Sequence, residues 1–335
     1  MNDAVTHWIQ STGPWAPWAA VALFLVGSLL MIWRLESMNA SGMEGTVLGT
    51  LVMPYCSGLG NLIFAYVFGK SGGNSREVMT NCLVNNVTNM TLLIGLPAAI
   101  WGLSLVSTKK TGGGKKSKTS ADPQRMNRLS LLLTLTAAAF FTGVMWALGR
   151  DGRIDFGDGL VLVGVFLFWQ VIHVFEVIKT GAQKNQFGLM FFIDLTLLIA
   201  GAYAVYISTD WLVTWVQSLK TGFISAKHLG WLSGWLMVLP NALLAFFYAW
   251  QKRPEVVYTS QVGDGHICIP LCIGVFALFR PIPVPEFFQL GVWLLVGAAT
   301  LHFVFVSFFG NLPRVIGWLL VGAYGVFLWK GLGVR

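Results

Sequence analysis

Charged residues are scarce in this chain, and their scarcity excludes an ordinary soluble domain. Asp, Glu, Lys and Arg make up 11% of its 335 residues, whereas a soluble domain contains roughly 25%. Hydrophobic residues make up 55%. The apolar runs are continuous and do not alternate with polar residues, which excludes an outer-membrane barrel. The composition therefore predicts an all-α, polytopic membrane protein whose main partner is the lipid bilayer.

Several signals are missing, and each absence excludes a class of protein. The first 14 residues contain no Lys or Arg, so the charged region of a cleavable signal peptide is absent and the first apolar run is expected to stay as an anchor. Metalloprotease, Walker-loop and nucleophile-elbow motifs are also absent, so we expect neither enzyme activity nor a resident cofactor. The net charge of +8 does not indicate a nucleic-acid partner, because much of it lies in one short loop.

Cysteine is rare as well. The chain has only four cysteines, and all of them fall inside apolar segments: Cys56, Cys82, Cys268 and Cys272. An extracellular disulfide framework does not follow from this pattern. We expect these residues to be small, buried side chains.

Ten apolar segments are long enough to cross the hydrocarbon, which takes about 20 helical residues. They are Trp15–Trp33, Val47–Phe68, Val78–Val106, Leu129–Leu148, Leu160–Ile178, Phe187–Ile207, Leu229–Trp250, Val262–Phe279, Phe287–Phe309 and Val315–Leu332. The segment Trp211–Phe223 is too interrupted to span. Because Trp211, Trp215 and Leu219 share a helical face, an interfacial helix on the outer surface is one interpretation. We prefer the alternative, in which these aromatic residues form part of the belt at the membrane interface.

A basic loop at residues 107–128 sets the expected orientation. It contains five Lys and two Arg among glycines and serines, which is typical of a flexible loop that stays in the cytoplasm. With ten spans, both termini then face outside. The expected location is a bacterial inner membrane.

The clearest functional signal is a polar stripe in the third span. Asn81, Asn85, Thr88 and Asn89 are spaced i, i+4, i+7 and i+8, so they share one face of a helix. Polar groups facing lipid would lack hydrogen-bond partners, so this face must meet other helices, water or an ion. An intramembrane polar stripe indicates a functional site. The alternative is that these groups only hold helices together.

Two parts of the chain repeat each other. Each has an apolar triplet before a proline, Pro54 or Pro240, then a Glu-Val pair, then Leu-X-Ile-Gly ending at Gly95 or Gly274. The copies lie five spans apart, and because five is odd they cross the membrane in opposite directions. Inverted repeats of this kind are a transporter architecture with the ion site near the midplane.

The repeat divides the chain into two predicted halves of five helices each. The first half is residues 1–182, with its repeat motif at 44–103, and the second is residues 183–335, with its motif at 231–280. Each repeat proline removes a backbone hydrogen bond. The carbonyls freed in this way can coordinate a cation.

At these positions the chain resembles the calcium/cation antiporter superfamily of sodium/calcium exchangers. That family has five plus five spans, with Gly-Thr-Ser-Leu-Pro-Glu on spans two and seven and Gly-Ser-Asn-Ile-Phe-Asn/Asp on spans three and eight. The matching residues here are Gly49-Thr50 with Pro54, Asn85 to Asn89, and Gly263-Asp264, with Cys268 in place of the last Asn or Asp. The resemblance implies secondary active cation antiport by alternating access around these four spans.

The sequence departs from the family where the ion should bind. The family's two ion-binding Glu residues follow the repeat prolines, and those positions hold Tyr55 and Asn241 here. As aligned, Asp264 is the single carboxylate of the central site. A hard divalent cation prefers several oxygen ligands with carboxylates among them. A monovalent cation or a proton therefore fits better than tightly bound calcium.

We predict seven residues that bind the transported cation, called the ion-site candidates below. They are Asn85, Asn89, Asp264, Asn241, Ser57, Thr88 and Asn61. Asp264 belongs to a second polar stripe with Gln261 and Cys268, and it is expected to carry the site's charge. The alternative is that Asp264 only marks the interfacial start of a helix.

Four further residues are candidates for a proton relay: His266, His173, Glu176 and Asp194. A neutral packed histidine is the alternative for His266. For the other three the alternative is a local ion-pair cluster near Lys179 and Lys184. His302 is a lone histidine with an expected structural role.

Three hypotheses for function remain. The leading one is an antiporter with altered selectivity whose cation is sodium, a proton or calcium. The second is an exchanger fold that no longer transports and serves as a scaffold or subunit of a membrane complex. The third is a redox or haem subunit that uses His173, His266 or His302, although these histidines lie on different spans with no recognisable pairing.

Overall fold

The computed structural model describes residues 2–40, 58–70, 72–105, 123–179 and 189–333, and most of them are helical. The helices are α1 Asn2–Ser11, α2 Ala16–Ala40, α3 Leu59–Lys70, α4 Arg76–Val87, α5 Ile94–Trp101, α6 Pro123–Leu148, α7 Phe156–Lys179, α8 Leu189–Ser218, α9 Leu229–Trp250, α10 Pro254–Ile267, α11 Ile273–Ala277, α12 Phe288–Val304 and α13 Arg314–Gly331. Short 3-10 turns occupy Gly13–Trp15, Gly149–Asp151 and Ala226–His228.

Two kinds of local structure interrupt or connect these helices. Wider, π-helical turns occupy Thr88–Leu93, Cys268–Cys272 and Phe305–Phe309. The first joins α4 to α5, and the second joins α10 to α11. Four two-residue strands also form: β1 Leu103–Ser104, β2 Arg153–Ile154, β3 Ile282–Pro283 and β4 Asn311–Leu312.

Seven helical segments in the described part of the chain are long and apolar enough to cross a membrane. They are Gly13–Met38, Arg76–Trp101, Arg128–Asp151, Phe156–Phe175, Leu189–Ser218, Ala226–Trp250 and Phe288–Phe309. Arg76–Trp101 is the most enclosed, with 83% of its apolar window buried against at most 44% in the others. The predicted second span lies partly outside the described residues, which resume at residue 58.

The interfacial helix considered for Trp211–Phe223 does not form as a separate helix. Helix α8 continues without a break to Ser218, eleven residues past the predicted end of the sixth span. Trp211 and Trp215 stack with ring centroids 6.1 Å apart and pack against a buried apolar cluster that includes Ile9 of α1. The short helix α1 therefore supplies an apolar partner for these rings, which hydropathy along the chain does not reveal.

Two other predicted boundaries need correction. Helix α10 starts at Pro254, several residues before the predicted start of the eighth span at Val262. Polar residues in its first turns hide this start from an apolar pattern. Residues 123–128, predicted as part of the basic loop, are the first residues of α6, while the rest of that loop, 107–122, lies outside the described residues.

The chain forms two compact units. The first unit contains Met1–Asn85, Ala147–Pro240 and His266–Pro285. The second contains Asn86–Trp146, Asn241–Gly265 and Glu286–Arg335. Each unit includes segments of both predicted halves, so neither half folds only on itself.

Close helix contacts in the first unit depend on glycine. Helices α2 and α8 meet at Gly27 and Gly201, where an added Cβ on Gly27 would lie 2.9 Å from the Gly201 carbonyl oxygen. Helices α7 and α11 meet at Gly159 and Gly274, where a Cβ on Gly159 would lie 2.8 Å from the Gly274 carbonyl oxygen. Strands β2 and β3 pair antiparallel in the same unit.

The second unit contains a matching set of contacts. Helices α5 and α13 meet at Gly95 and Gly317, where a Cβ on Gly317 would lie 2.6 Å from the Gly95 carbonyl oxygen. Strands β1 and β4 pair antiparallel. Gly95 and Gly274 are the glycines that end the two sequence repeats, so both copies use this position for a close helix contact.

Candidate functional site

The polar stripe predicted in the third span is buried in the protein. Asn81, Asn85, Thr88 and Asn89 are each at most 3% exposed. The stripe runs along α4 and into the π-helical turn that follows it. The expectation that this face avoids lipid is therefore confirmed.

Two members of the stripe bond to side chains on other helices. The Asn81 amide donates to the Ser233 hydroxyl of α9 at 3.0 Å. The Thr88 hydroxyl donates to the Tyr324 hydroxyl of α13 at 3.1 Å. These contacts match the alternative interpretation, in which intramembrane polar groups hold helices together.

The second unit brings three ion-site candidates into direct contact. The amides of Asn89 and Asn241 both donate to Oδ2 of Asp264, at 3.1 Å and 3.2 Å. Asp264 is only 2% exposed and lies within α10 rather than at its start. The structure thus gathers the acid and two amides that the sequence placed on three different spans.

Two other residues of α10 lie close to helices α9 and α4. Gln261, one turn before Asp264, donates from Nε2 to the Asn241 backbone carbonyl at 3.2 Å. Gly265, the next residue along the chain, allows close approach of the Asn86 side chain, since an added Cβ would lie 2.8 Å from its Oδ1. Within the described residues, nothing donates a hydrogen bond to the buried Oε1 of Gln261.

The electrostatics of this site favour a positive ligand. A buried carboxylate is costly unless it is paired with opposite charge. Asn89 and Asn241 supply neutral hydrogen-bond donors, which stabilise the charge but do not cancel it. Asn241 occupies one of the two positions at which the resemblance expects an acid, so a neutral amide lies beside Asp264 at that position.

A second group of candidates lies in the first unit. The Asn85 amide donates to Asn61 Oδ1 at 3.4 Å, and the Cys268 thiol donates to Asn85 Oδ1 at 3.8 Å. All three side chains are at most 3% exposed. Ser57, another ion-site candidate, and Tyr55 lie outside the described residues.

The relay candidates are distributed differently. In the first unit, His173 and His266 both contact Trp169 edge-on, with ring centroids 4.8 Å and 5.8 Å from it. Spans five and eight are therefore joined through one indole ring. The side chain of Glu176 lies outside the described residues.

Asp194 lies in a buried ion pair whose described partner, Arg34, comes from a different helix. Its Oδ1 is 3.1 Å from Arg34 of α2, and its Oδ2 accepts a hydrogen bond from Ser37 at 3.2 Å. The Arg34 guanidinium also lies over the Trp33 ring, 3.5 Å from its centroid. The side chains of Lys179 and Lys184, the partners suggested by the sequence, lie outside the described residues, so the local cluster stays a prediction.

We expect Asp194→Asn to lower the free energy of unfolding by about 1–3 kcal/mol, because a hydrogen-bonded charge is removed and Arg34 keeps an uncompensated charge. The double variant Arg34→Met, Asp194→Leu should lose less. Chemical denaturation in detergent measures both variants. A double variant less stable than the single one would contradict this interpretation of the pair.

Two contacts between distant parts of the chain were not predicted from the sequence. The Glu77 carboxylate accepts a hydrogen bond from the Gly230 backbone N–H at 2.7 Å and so caps the start of α9. His302 is fully buried, and its Nε2 lies 2.9 Å from the Met90 carbonyl in the first π-helical turn. A π-helical turn shifts the backbone hydrogen bonds of a helix. The sequence contains no residue pattern from which this turn could be predicted.

Metal binding by a conventional cluster is not supported. No group of three or more His, Cys, Asp or Glu side chains within the described ranges is arranged to hold a metal ion. The histidines proposed for a redox or haem subunit are separated between the units. His302 belongs to the second unit, whereas His173 and His266 belong to the first.

The helices, their apolar lengths and the buried polar site define an integral, multi-pass, all-α membrane protein. Comparison with family models then identifies the family. Residues 14–175 and 193–330 match the model described as sodium/calcium exchanger protein. The chain belongs to this family, as the resemblance implied.

Solved structures show the same fold. The chain is similar to the sodium-calcium exchanger NCX_Mj soaked with 100 mM Na⁺ and 10 mM Sr²⁺, at 20% identity and a TM-score of 0.61 over 92% of this chain and 94% of that one. With 2.5 mM Na⁺ and 0.1 mM Ca²⁺, the values for NCX_Mj are 21% and 0.61 over 94% and 96%. No curated protein matches the chain by sequence.

Proposed function

We propose that this protein is a secondary active cation antiporter with altered ion selectivity. The observation that carries the proposal is the buried Asp264 carboxylate, which accepts hydrogen bonds from Asn89 and Asn241. A single acid with neutral amides can balance one positive charge in a dry interior. A monovalent cation or a proton is therefore favoured over tightly bound calcium, which prefers more carboxylate oxygens.

We also propose the ten-span, inverted-repeat architecture. The paired contacts support it. Strand β1 follows the third span and pairs with β4 after the ninth, whereas β3 follows the eighth span and pairs with β2 after the fourth. Spans three and eight are equivalent in the proposed repeat, and so are spans four and nine. The β1–β4 pair and the β3–β2 pair therefore occupy equivalent positions in the two halves. The two repeat-ending glycines behave likewise, because Gly95 meets the tenth span and Gly274 meets the fifth.

Transport would proceed by alternating access about spans two, three, seven and eight. Asp264, Asn89 and Asn241 would ligate the cation, with Asn85, Asn61, Thr88 and Ser57 assisting. The basic loop would lie in the cytoplasm, with both termini outside a bacterial inner membrane. In this role the protein transports inorganic cations and is not an enzyme.

Ion-dependent stability of the purified native chain tests the proposal. A monovalent cation present at ten times its dissociation constant should stabilise the fold by about 1.4 kcal/mol, because only the folded site binds it. Thermal unfolding with Na⁺, K⁺ or Ca²⁺ at constant ionic strength, and across pH, measures this. Choline chloride serves as the control for general salt effects. Equal unfolding temperatures under all conditions would contradict the proposal.

A scaffold without transport is the second candidate. The hydrogen bonds from Asn81 to Ser233 and from Thr88 to Tyr324 favour it, since these polar groups already hold helices together. Such a scaffold would show neither ion-dependent stabilisation nor gradient-driven flux in liposomes. Flux driven by a Na⁺ or proton gradient would exclude it.

A further inference from the structure

His302 is a fully buried histidine that is not among the ion-site candidates. It lies in the last turn of α12, in the second unit of the fold. Its Nε2 is 2.9 Å from the backbone carbonyl oxygen of Met90, in the π-helical turn Thr88–Leu93. A carbonyl oxygen can only accept a hydrogen bond, so Nε2 must carry a hydrogen. His302 therefore donates to the backbone of this turn.

The backbone around Met90 departs from the regular helical pattern. In an α-helix, the N–H of Ile94 would bond to the carbonyl of Met90, four residues earlier. Here the Ile94 N–H bonds to the carbonyl of Thr91, three residues earlier. The Met90 carbonyl accepts a hydrogen bond from a side chain on another helix. Because a buried carbonyl without a donor is costly, His302 stabilises the turn in this shape.

The same turn carries a ligand of the candidate ion site. Asn89 directly precedes Met90, and its side-chain amide donates to Asp264 Oδ2 at 3.1 Å. The two residues are joined by one peptide bond, so a shift of the backbone at Met90 would also move the Asn89 amide. The hydrogen bond from His302 is therefore only one residue away from the contact between amide and acid.

His302 also contacts the helix that carries the acid. Its ring meets the Tyr258 ring edge-on, with centroids 5.4 Å apart and an interplanar angle of 86°. Tyr258 is fully buried and lies on α10, as Asp264 does. One imidazole ring thus contacts both the turn that carries Asn89 and the helix that carries Asp264.

We propose that His302 is a positioning residue for the ion site. Its Nε2–H holds the Met90 carbonyl while its ring packs on Tyr258, and these contacts keep the Asn89 amide directed at the Asp264 carboxylate. In this role His302 does not itself bind the cation. Ligands hold their binding geometry only when neighbouring groups support them. The inference rests on the proposed function of Asp264 as the ion site.

Ion-dependent stabilisation of the purified full-length chain measures the effect on binding. In His302→Leu, the dissociation constant obtained from thermal unfolding at increasing Na⁺ or K⁺ should rise about tenfold or more. His302→Gln should bind nearly as the native chain does, because the glutamine amide can donate to the same carbonyl. Gly159→Ala is the control for lost stability. Its added Cβ would lie 2.8 Å from the Gly274 carbonyl oxygen, so it should unfold more easily but keep the native affinity.

A second measurement follows the Asn89 amide without any bound ion. The protein is labelled with ¹⁵N in its asparagine side chains, and the Asn89 signal in the NMR spectrum is identified by its loss in Asn89→Ala. This signal should move in His302→Leu and stay near its native position in His302→Gln. In native protein labelled with ¹⁵N-histidine, the His302 signal should show the hydrogen on Nε2, and this measurement holds even if His302→Leu does not fold.

The outcomes separate the positioning role from the proposed function. A native chain without any ion response would contradict the proposed function, while the Asn89 signal would still decide the positioning role. That role is overturned if the hydrogen of His302 lies only on Nδ1, or if folded His302→Leu keeps the native Asn89 signal or the native affinity. It is also overturned if folded His302→Gln is impaired as strongly as His302→Leu.

Discussion

Asp264→Asn is expected to reduce gradient-driven cation flux in proteoliposomes to the level of empty vesicles. The substitution removes the one carboxylate that Asn89 and Asn241 hold between them. A neutral amide of the same size cannot balance a cation, so the ion loses its counter-charge in a buried site. The ion-dependent stabilisation of the native chain should disappear with the flux.

Asp210→Asn is the matched control for this prediction. Asp210 undergoes the same chemical change on an exposed face of α8, so flux and ion response should stay at the native level. The fold of Asp264→Asn should survive, with a loss of about 1–3 kcal/mol for the altered hydrogen bonds. Undiminished flux in a folded Asp264→Asn protein would remove this acid from the mechanism.

Gly317→Leu is expected to separate α13 from α5 and to destabilise the fold by about 3 kcal/mol or more. A Cβ at this position would lie 2.6 Å from the Gly95 carbonyl oxygen and also press on the backbone nitrogen of Ala99. Backbone atoms cannot turn away as a flexible side chain can, so the helices must move apart. Gly317→Ala should show the same effect at smaller size, as thermal unfolding in detergent can measure.

The same helix provides controls. A Cβ added to Gly322 or Gly325 would meet nothing within 4 Å. Gly322→Ala and Gly325→Ala should therefore leave stability unchanged or raise it by up to about 1 kcal/mol, because alanine favours helix over glycine. If Gly317→Ala were as stable as these controls, the close approach of α13 to α5 at Gly317 would not contribute to stability as predicted.

The helices themselves were largely predictable from the sequence. The predicted span Leu229–Trp250 has the same bounds as α9, because the segment is mostly apolar and contains no charged residue. Helix α1 was not predicted, since ten residues of mixed polarity fall below the length and hydropathy of a span. Trp211 and Trp215 pack against the cluster that includes Ile9 of α1. A residue far away in the sequence therefore covers these rings, in a segment where the sequence alone did not predict that α8 continues.

The candidate site was predictable in part. Helical spacing placed Asn85 and Asn89 on one face, and the repeat pointed to Asp264, but spacing alone gives no partner on another helix. Ser233 and Tyr324 lie 152 and 236 residues from their partners Asn81 and Thr88, so no local pattern links them. The π-helical turns were also invisible, because they depend on how neighbouring helices pack.

The strand pairs have a consequence for how such a chain could have arisen. Each pair joins a segment from residues 1–182 to one from residues 183–335, and so do the contacts of Gly95 with Gly317 and Gly159 with Gly274. A single five-helix polypeptide would leave all of these surfaces without a complement. If the proposed inverted repeat arose by duplication, an ancestor of half this length would have needed a second copy of itself to cover these surfaces.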